Sequence, residues 1–162
     1  MPKKTANELR ELIKKRMNQK RIRFYFNLMG KIESKRNNFS KALEYFEKAI
    51  ALLPHQHKMY SEDQHALFFE PLAAVLYKKG NFKKAQEQYE KIISLTTGRL
   101  FFGDIYAKAF YNLGKIYQQK GWKGKAIDSY KKFIDLWKNC DPLLKPLVDD
   151  ARKRVKELEG KI

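Results

Sequence analysis

The sequence predicts an all-α protein built as a stack of antiparallel helix pairs. Apolar residues recur at helical spacing along most of the 162 residues, and glycine and proline are few. One helix-pair pattern also occurs three times. The hydrophobic fraction of 43%, with 14% aromatic residues, is typical of a globular chain. We therefore expect a single helical repeat domain over residues 1–162.

The second helix of each pair is predicted from three aligned segments. They are NNFSKALEYFEKA (37–49), GNFKKAQEQYEKI (80–92) and GWKGKAIDSYKKF (121–133). Each begins with a turn residue that is followed by an aromatic residue. Each then places an alanine and, four residues later, a large aromatic residue on one helical face. The small residues are Ala42, Ala85 and Ala126, and the large aromatics are Phe46, Tyr89 and Tyr130.

The first helix of each pair is predicted from an apolar stripe before each turn. A small residue lies seven positions before each turn residue: Gly30, Ala73 and Gly114. A small side chain there allows a neighbouring helix to approach, whereas a bulky one would force the two helices apart. Pro71 lies inside the second of these helices and should kink it or mark its real start.

This pattern resembles the tetratricopeptide repeat, in which each unit is a pair of antiparallel helices. The resemblance covers about residues 22–140 and implies about three repeats in a right-handed superhelical stack. The alanines are 43 and 41 residues apart, where the family usually has about 34, so we expect elongated inter-repeat connections. The residues that carry the resemblance in the best copy are Leu113, Gly114, Tyr117, Gly121, Ala126, Tyr130 and Phe133, with Pro54 closing the first copy.

A second resemblance concerns the C-terminal part. The stretch from Thr96 through Leu136 is similar to tetratricopeptide segments at the ends of large bacterial signalling proteins. This resemblance implies a free-standing relative of such segments or an excised piece of one.

The N-terminal 21 residues predict a basic helix or extension. Thr5 to Glu8 has the form of a capping box at the helix start. No glycine or proline separates this helix from Phe24, so it can continue into the first repeat helix. Three interpretations stay open: an ordinary capping helix, a helix that pairs with an upstream repeat or another copy, or a binder of nucleic acid or an anionic membrane. Its apolar stripe is Leu9, Leu12, Ile13 and Met17.

Residues 141–162 predict a C-terminal capping helix that begins after Asp141. A terminal helix with one polar side lets a stack of repeats end without an exposed core. The predicted buried stripe is Leu143, Leu144, Leu147, Val148, Ala151, Val155 and Leu158. The predicted solvent-facing side is Asp149, Asp150, Arg152, Lys153 and Lys156.

The charge is strongly positive, at +17 from 35 basic and 18 acidic residues. Such an excess favours acidic partners without choosing among nucleic acid, anionic lipid and acidic protein. The single cysteine, Cys140, makes no internal disulfide, and we see no signal peptide or apolar stretch approaching 18 residues. We therefore expect a cytoplasmic protein with no membrane span.

No pattern of catalytic or cofactor-binding residues is recognised. There is no glycine-rich phosphate loop, nucleophile elbow or HExxH sequence. His55 and His57 would need Glu62 and Asp63 to complete a metal site, and polar loop histidines are the simpler interpretation. We expect no enzymatic activity, no cofactor and no metal.

A partner site is predicted from the resemblance, because the first helix of each tetratricopeptide pair lines the inner groove. The lysines and asparagines there resemble the family's clamp for a peptide carboxylate, although they are also explained as solvated side chains in a lysine-rich protein. The predicted partner contacts are Asn27, Lys31, Lys35, Lys108, Tyr111, Asn112 and Lys115, with Gln119, Glu70, Ala74 and Lys78 along the same faces.

The predicted function is a scaffold for protein–protein interaction that binds a partner peptide or helix, acidic in character, in this groove. The alternative is electrostatic binding of nucleic acid through the basic surface, and the terminal helices offer a route to homo-oligomers. Aromatic residues off the main pattern either pack behind the main apolar stripes or form an exposed apolar surface for a partner. They are Tyr25, Phe68, Tyr77, Phe101, Phe102, Tyr106 and Tyr111.

Overall fold

The structure, a computed structural model, describes residues 2–15, 21–53, 64–95 and 101–160, and all regular elements in these ranges are helical. The predicted all-α class is therefore confirmed. A 3₁₀ turn at Pro142–Leu144 precedes the last α-helix. The eight α-helices of the described ranges are α1 (Pro2–Lys15), α2 (Ile22–Lys35), α3 (Phe39–Ile50), α4 (His65–Lys78), α5 (Phe82–Ser94), α6 (Gly103–Gln119), α7 (Lys123–Leu136) and α8 (Lys145–Glu159).

The chain forms two compact units, Met1–Gln88 and Tyr89–Ile162. In the first unit α1 packs on α2, α2 packs along α3, and α3 packs on α4. In the second unit α6 packs along α7, and α7 packs on α8. The α2–α3 and α6–α7 hairpins are the first and third predicted pairs. The expectation of a single domain stays a prediction.

All three predicted turn residues adopt the left-handed conformation that ends a helix. The φ angles are +62° at Asn37, +75° at Gly80 and +72° at Gly121. Glycine and asparagine tolerate this conformation better than other residues. At the first turn the Asn38 N–H donates to Glu33 O at 2.9 Å, a bond that reaches back five residues and closes the helix end. The same bond recurs at the other two turns.

Two of the predicted small residues are required by close contact between helices. A Cβ placed on Gly30 would lie 2.5 Å from the Phe46 ring, and one on Gly114 would lie 2.7 Å from the Tyr130 ring. Phe46 and Tyr130 are both fully buried. The glycine in the first helix therefore makes room for the aromatic residue of the second, as the spacing predicts.

Pro71 lies inside α4, so the alternative that it marks the start of this helix is wrong. Because proline has no N–H, the carbonyl of Leu67, four residues earlier, lacks its usual intrahelical donor. The Asn27 side chain of α2 supplies a donor instead, with 3.4 Å between its Nδ2 and Leu67 O. A side chain predicted to line the groove thus takes part in α2–α4 packing.

The C-terminal helix differs from its predicted faces at two positions. Asp141 accepts a hydrogen bond from the Leu143 N–H at 2.9 Å and opens the 3₁₀ turn, which leaves the Leu143 side chain 87% exposed. Leu143 therefore does not belong to the buried stripe. Asp150 is only half-exposed and pairs with Arg154, so it does not belong to the freely solvated side. The buried residues of α8 are Val148, Ala151 and Val155.

The N-terminal helix also differs in detail from the prediction. Because α1 begins at Pro2, Thr5 lies within the helix and does not cap it. Ala6 and Ile13 are buried against α2, whereas Leu12 is 53% exposed and falls outside the apolar stripe. Met17 and the continuation of α1 toward α2 lie outside the described residues.

Candidate functional site

Three predicted partner contacts share one face of α6. Lys108, Asn112 and Lys115 follow one another at helical spacings of four and three residues, and all are half-buried. The Lys108 Nζ lies 3.4 Å from Asp104 Oδ2 and 5.7 Å from the centre of the Trp137 ring. Because both ends of the Lys108–Asp104 pair are solvent-exposed, it contributes about 0.2–1 kcal/mol at most. Asp104 therefore does little to hold the Lys108 ammonium group in place.

Tyr111, the apolar contact predicted beside these residues, has its hydroxyl bound within the unit. It donates a hydrogen bond of 2.6 Å to Asp150 Oδ2 on α8, and its ring packs on Phe133 with 5.2 Å between ring centres. Burial, together with the bond to Asp150, raises the pKa of Tyr111 to about 12. The ring also lies 5.7 Å from Lys115 Nζ, so Tyr111 supports this lysine by a cation–π contact.

Asp150 and Arg154 extend this contact into a polar network under α8. Arg154 Nε donates to Asp150 Oδ2 at 2.6 Å, and a second nitrogen of its guanidinium donates to Gln118 Oε1 at 3.2 Å. Gln118 also accepts a hydrogen bond of 2.9 Å from the hydroxyl of Tyr130. Burial acts to raise the pKa of Asp150, but the hydrogen bonds from Arg154 and Tyr111 outweigh it and hold the pKa below its usual value.

Sequence reasoning missed this network. Asp150 and Arg154 are spaced four residues apart, which is a recognisable ion-pair signal on a helix. What the spacing does not reveal is that this pair faces Tyr111 and Gln118 on another helix. The network fixes α8 on the α6–α7 pair and places a carboxylate beside the predicted partner face.

In the first unit, α2 offers a smaller cationic face. Lys31 and Lys35 are exposed and lie one turn apart. Asn27, by contrast, is 7% exposed and its amide donor is used by Leu67 O, so we leave it out of the partner face. Lys78, predicted from the second pair, lies with its Nζ 5.9 Å from the centre of the Phe39 ring.

Glu33 is a buried carboxylate on the side of α2 that faces α1. It is 2% exposed and accepts a hydrogen bond of 2.8 Å from Asn38 Nδ2. This bond lowers the pKa of Glu33, with help from Lys3 of α1 at 3.8 Å. Glu33 is thus a structural contact that ties α1 to the first hairpin.

Most of the off-pattern aromatic residues pack within the protein. Tyr25 and Phe68 are buried in the first unit. Tyr77 contacts Phe82 and Tyr106 contacts Phe110, with ring centres 5.4 Å and 5.2 Å apart. Second-row packing therefore explains these residues. Phe101 differs, because it is 70% exposed.

The described residues contain no group of three or more His, Cys, Asp or Glu side chains that could hold a metal ion. His55 and His57 lie outside the described ranges. A cleft of about 360 Å³ lies at the end of α7, where Cys140 is half-buried near Trp137 and Asp104. No described helix is long and apolar enough to cross a bilayer.

Similarity to solved structures supports the fold. The type III secretion chaperone SycD of Yersinia enterocolitica, solved with a peptide of the translocator YopD, is 16% identical with a TM-score of 0.66. The match covers 84% of this chain and 91% of SycD. The Sgt2 tetratricopeptide domain of Aspergillus fumigatus is 19% identical with a TM-score of 0.59, over 85% of this chain and 82% of that domain.

A third structure, the TPR2AB domain of yeast Sti1 in its complex with pHSP90, is 23% identical with a TM-score of 0.61. The match covers 86% of this chain and 50% of the Sti1 chain. No curated protein sequence matches this chain significantly.

Family models provide the sequence-level assignment. Models described as tetratricopeptide repeat match residues 24–56, 72–97 and 107–139, which together make up more than half of the chain. Each matched range begins within the first helix of one predicted pair and extends through its second helix. The chain belongs to the tetratricopeptide repeat family.

Proposed function

We propose that the chain binds an acidic peptide or helix of a partner protein along the first helices of its repeats. In the second unit the contacts are Lys108, Asn112 and Lys115 of α6. The first unit offers a separate contact of the same kind, formed by Lys31 and Lys35 of α2. The observation that carries the proposal is the shared face of α6, where two lysines and an asparagine lie in a row beside aromatic rings.

The chemistry of this face suits a carboxylate. Lysine ammonium groups and an asparagine amide donate hydrogen bonds, and a bond to a charged group contributes about 1.5–3 kcal/mol. SycD was solved with a peptide of YopD, and the Sti1 domain was solved in a complex with pHSP90. Both proteins share the fold of this chain. These two structures support binding of a peptide, while the acidic character of the peptide rests on the lysines.

The test begins by capturing partners with the parent chain and with a Lys108→Ala, Lys115→Ala double variant, and identifying the captured proteins by mass spectrometry. Peptides from each partner lost by the variant are then titrated by calorimetry. Loss of the charge-assisted bond to Lys108 and of a weaker one to Lys115 should weaken peptide binding by about tenfold or more.

The matched control is the double variant Lys14→Ala, Lys15→Ala on α1, which removes the same charge from exposed positions. It should bind the same peptides with nearly parental affinity. If the α1 variant loses binding and the α6 variant keeps it, the groove proposal is wrong and electrostatic binding through the basic surface takes its place.

A further inference from the structure

The turns between the two helices of each pair hold most of the excess charge. The ten-residue windows 34–43, 77–86 and 118–127 contain three, four and three Lys or Arg residues and no Asp or Glu. Ten of the net +17 charges therefore lie in 30 residues. The repeat fold requires a left-handed residue and an aromatic in each turn, but nothing in it requires lysine.

In the first unit two of these turns lie against each other. Lys79 Nζ of the second turn donates a hydrogen bond of 3.1 Å to Ser40 Oγ of the first. Lys78 Nζ of the second turn lies 5.9 Å from the Phe39 ring of the first. The two turns together form one surface, here called the turn edge. Its seven basic residues, all exposed, are Lys35, Arg36, Lys41, Lys78, Lys79, Lys83 and Lys84.

Counter-charges are few at the turn edge, where Glu33 and Glu44 act on Lys41 at longer range. Arg36 pairs with the buried Glu33 at 3.5 Å, but no ion pair joins any of the six lysines to a carboxylate of the described residues. By contrast, Lys14, Lys48 and Lys108 each pair with a carboxylate on their own helix. Like charges this close repel one another, so an external polyanion would stabilise the turn edge.

We propose that the turn edge binds the phosphate backbone of nucleic acid, without sequence preference. Backbone binding is electrostatic and uses exposed Lys and Arg side chains, which is what this surface presents. Protein interfaces are instead depleted in lysine and use exposed aromatic or apolar anchors. Amphipathic helices that bind a membrane surface likewise combine their positive charge with an apolar face.

The turn edge has no such anchors. The aromatic residues of its turns, Phe39, Tyr77 and Phe82, are half-buried beneath the lysines. In the described ranges the exposed large hydrophobic residues all lie elsewhere, and they are Leu12, Leu52, Phe101, Trp122 and Leu143. The charge of the turn edge therefore favours phosphate groups of nucleic acid as its partner, rather than a protein or a lipid surface.

The third turn repeats this composition in the second unit. Trp122 is 43% exposed, and the ammonium groups of Lys120 and Lys125 lie 4.8 Å and 5.0 Å from the centre of its ring. Because it exposes Trp122, this turn differs from the turn edge and is not part of the proposal.

The experiment measures fluorescence anisotropy of a labelled DNA duplex of about 20 base pairs, titrated with the full chain at several salt concentrations. The test variant is Lys35→Gln, Lys41→Gln, Lys83→Gln, Lys84→Gln. The parent should bind at low salt with a steep linear fall of log affinity against log salt. The variant should bind about tenfold more weakly or worse, and its slope should be smaller by about 3 to 4, near 0.9 for each lost phosphate contact.

The matched control removes four exposed lysines from helices, as Lys4→Gln, Lys132→Gln, Lys145→Gln, Lys156→Gln. Its net charge equals that of the test variant, so an unchanged slope in the control assigns binding to the turn edge. Thermal melts of both variants should match the parent, because none of the changed lysines is buried.

Three results would overturn the proposal. The first is that the parent binds no duplex at low salt. The second is an equal loss of duplex affinity in both variants, because binding would then depend on net charge alone. The third is tighter binding to a glutamate polymer or to vesicles of phosphatidylcholine and phosphatidylserine than to DNA, with the same sensitivity to the test variant. That result would assign the turn edge to an acidic protein or a membrane.

Discussion

Replacement of Gly114 by alanine should destabilise the second unit, although alanine is normally the better helix former. The added Cβ would lie 2.7 Å from two ring carbons of Tyr130 and 2.9 Å from a third. Carbon atoms pack well at about 3.5–4.0 Å, so the ring would have to recede by about 1 Å. Tyr130 has little freedom to do so, because it is fully buried and its hydroxyl is bound to Gln118.

The magnitude follows from two opposing effects. Overpacking of a filled core costs about 1–3 kcal/mol. Alanine in place of glycine inside a helix returns up to about 1 kcal/mol. The net loss in the free energy of unfolding should be about 1–2 kcal/mol, which corresponds to a fall in Tm of about 2–8 °C for a chain of this size.

The assay is urea unfolding followed by circular dichroism, with Gly124→Ala as the matched control. Gly124 lies in α7, and a Cβ placed there meets nothing within 4 Å. This control should raise the free energy of unfolding by about 0.4–1 kcal/mol, because it only restricts the unfolded chain. If both variants are as stable as the parent or more stable, the close approach of Gly114 to Tyr130 is not real.

Three further predictions concern polar contacts. Asn27→Ala should lower the free energy of unfolding by about 0.5–1.5 kcal/mol in the parent. The loss should be smaller in a Pro71→Ala background, because residue 71 then supplies an N–H to Leu67 O. A double-mutant cycle in urea measures the difference between the two losses, and equal losses would contradict the prediction. The raised pKa of Tyr111 contributes stability that is present below its unfolded value near pH 10 and lost as pH rises toward about 12, so melts over this range should be flatter in Tyr111→Phe. The lowered pKa of Asp150 contributes stability that is lost as pH falls below about 4, and Asp150→Asn should remove that acid loss; unchanged pH profiles in either variant would contradict the contact.

The helices and turns were predictable from sequence because their causes are local. Asn37, Gly80 and Gly121 each end a helix through their own backbone conformation. Gly30 and Gly114 are small because the aromatic residue they face belongs to the same hairpin, at a fixed spacing along the chain. Periodicity captures both kinds of constraint without knowledge of any other element.

The site was less predictable because its contacts join elements far apart in the chain. Asn27 acquires its role only through Pro71, 44 positions later, and Tyr111 through Asp150, 39 positions later. The periodicity of α2 assigns Asn27 to the groove, and that of α8 assigns Asp150 to solvent. Neither assignment accounts for the polar groups that the neighbouring helix presents.

Asp150 also bears on how an acidic partner would approach the second unit. Its carboxylate stays ionised and lies next to Tyr111 and Lys115, so that end of the α6 face already holds a negative charge. An incoming carboxylate would be repelled there and attracted less strongly to Lys115. At the other end Lys108 is held by Asp104, in an exposed pair of small energy, and lies over the Trp137 ring. The geometry therefore favours a partner whose acidic residue meets Lys108 and Asn112, with its remaining chain passing over the Tyr111 and Trp137 rings.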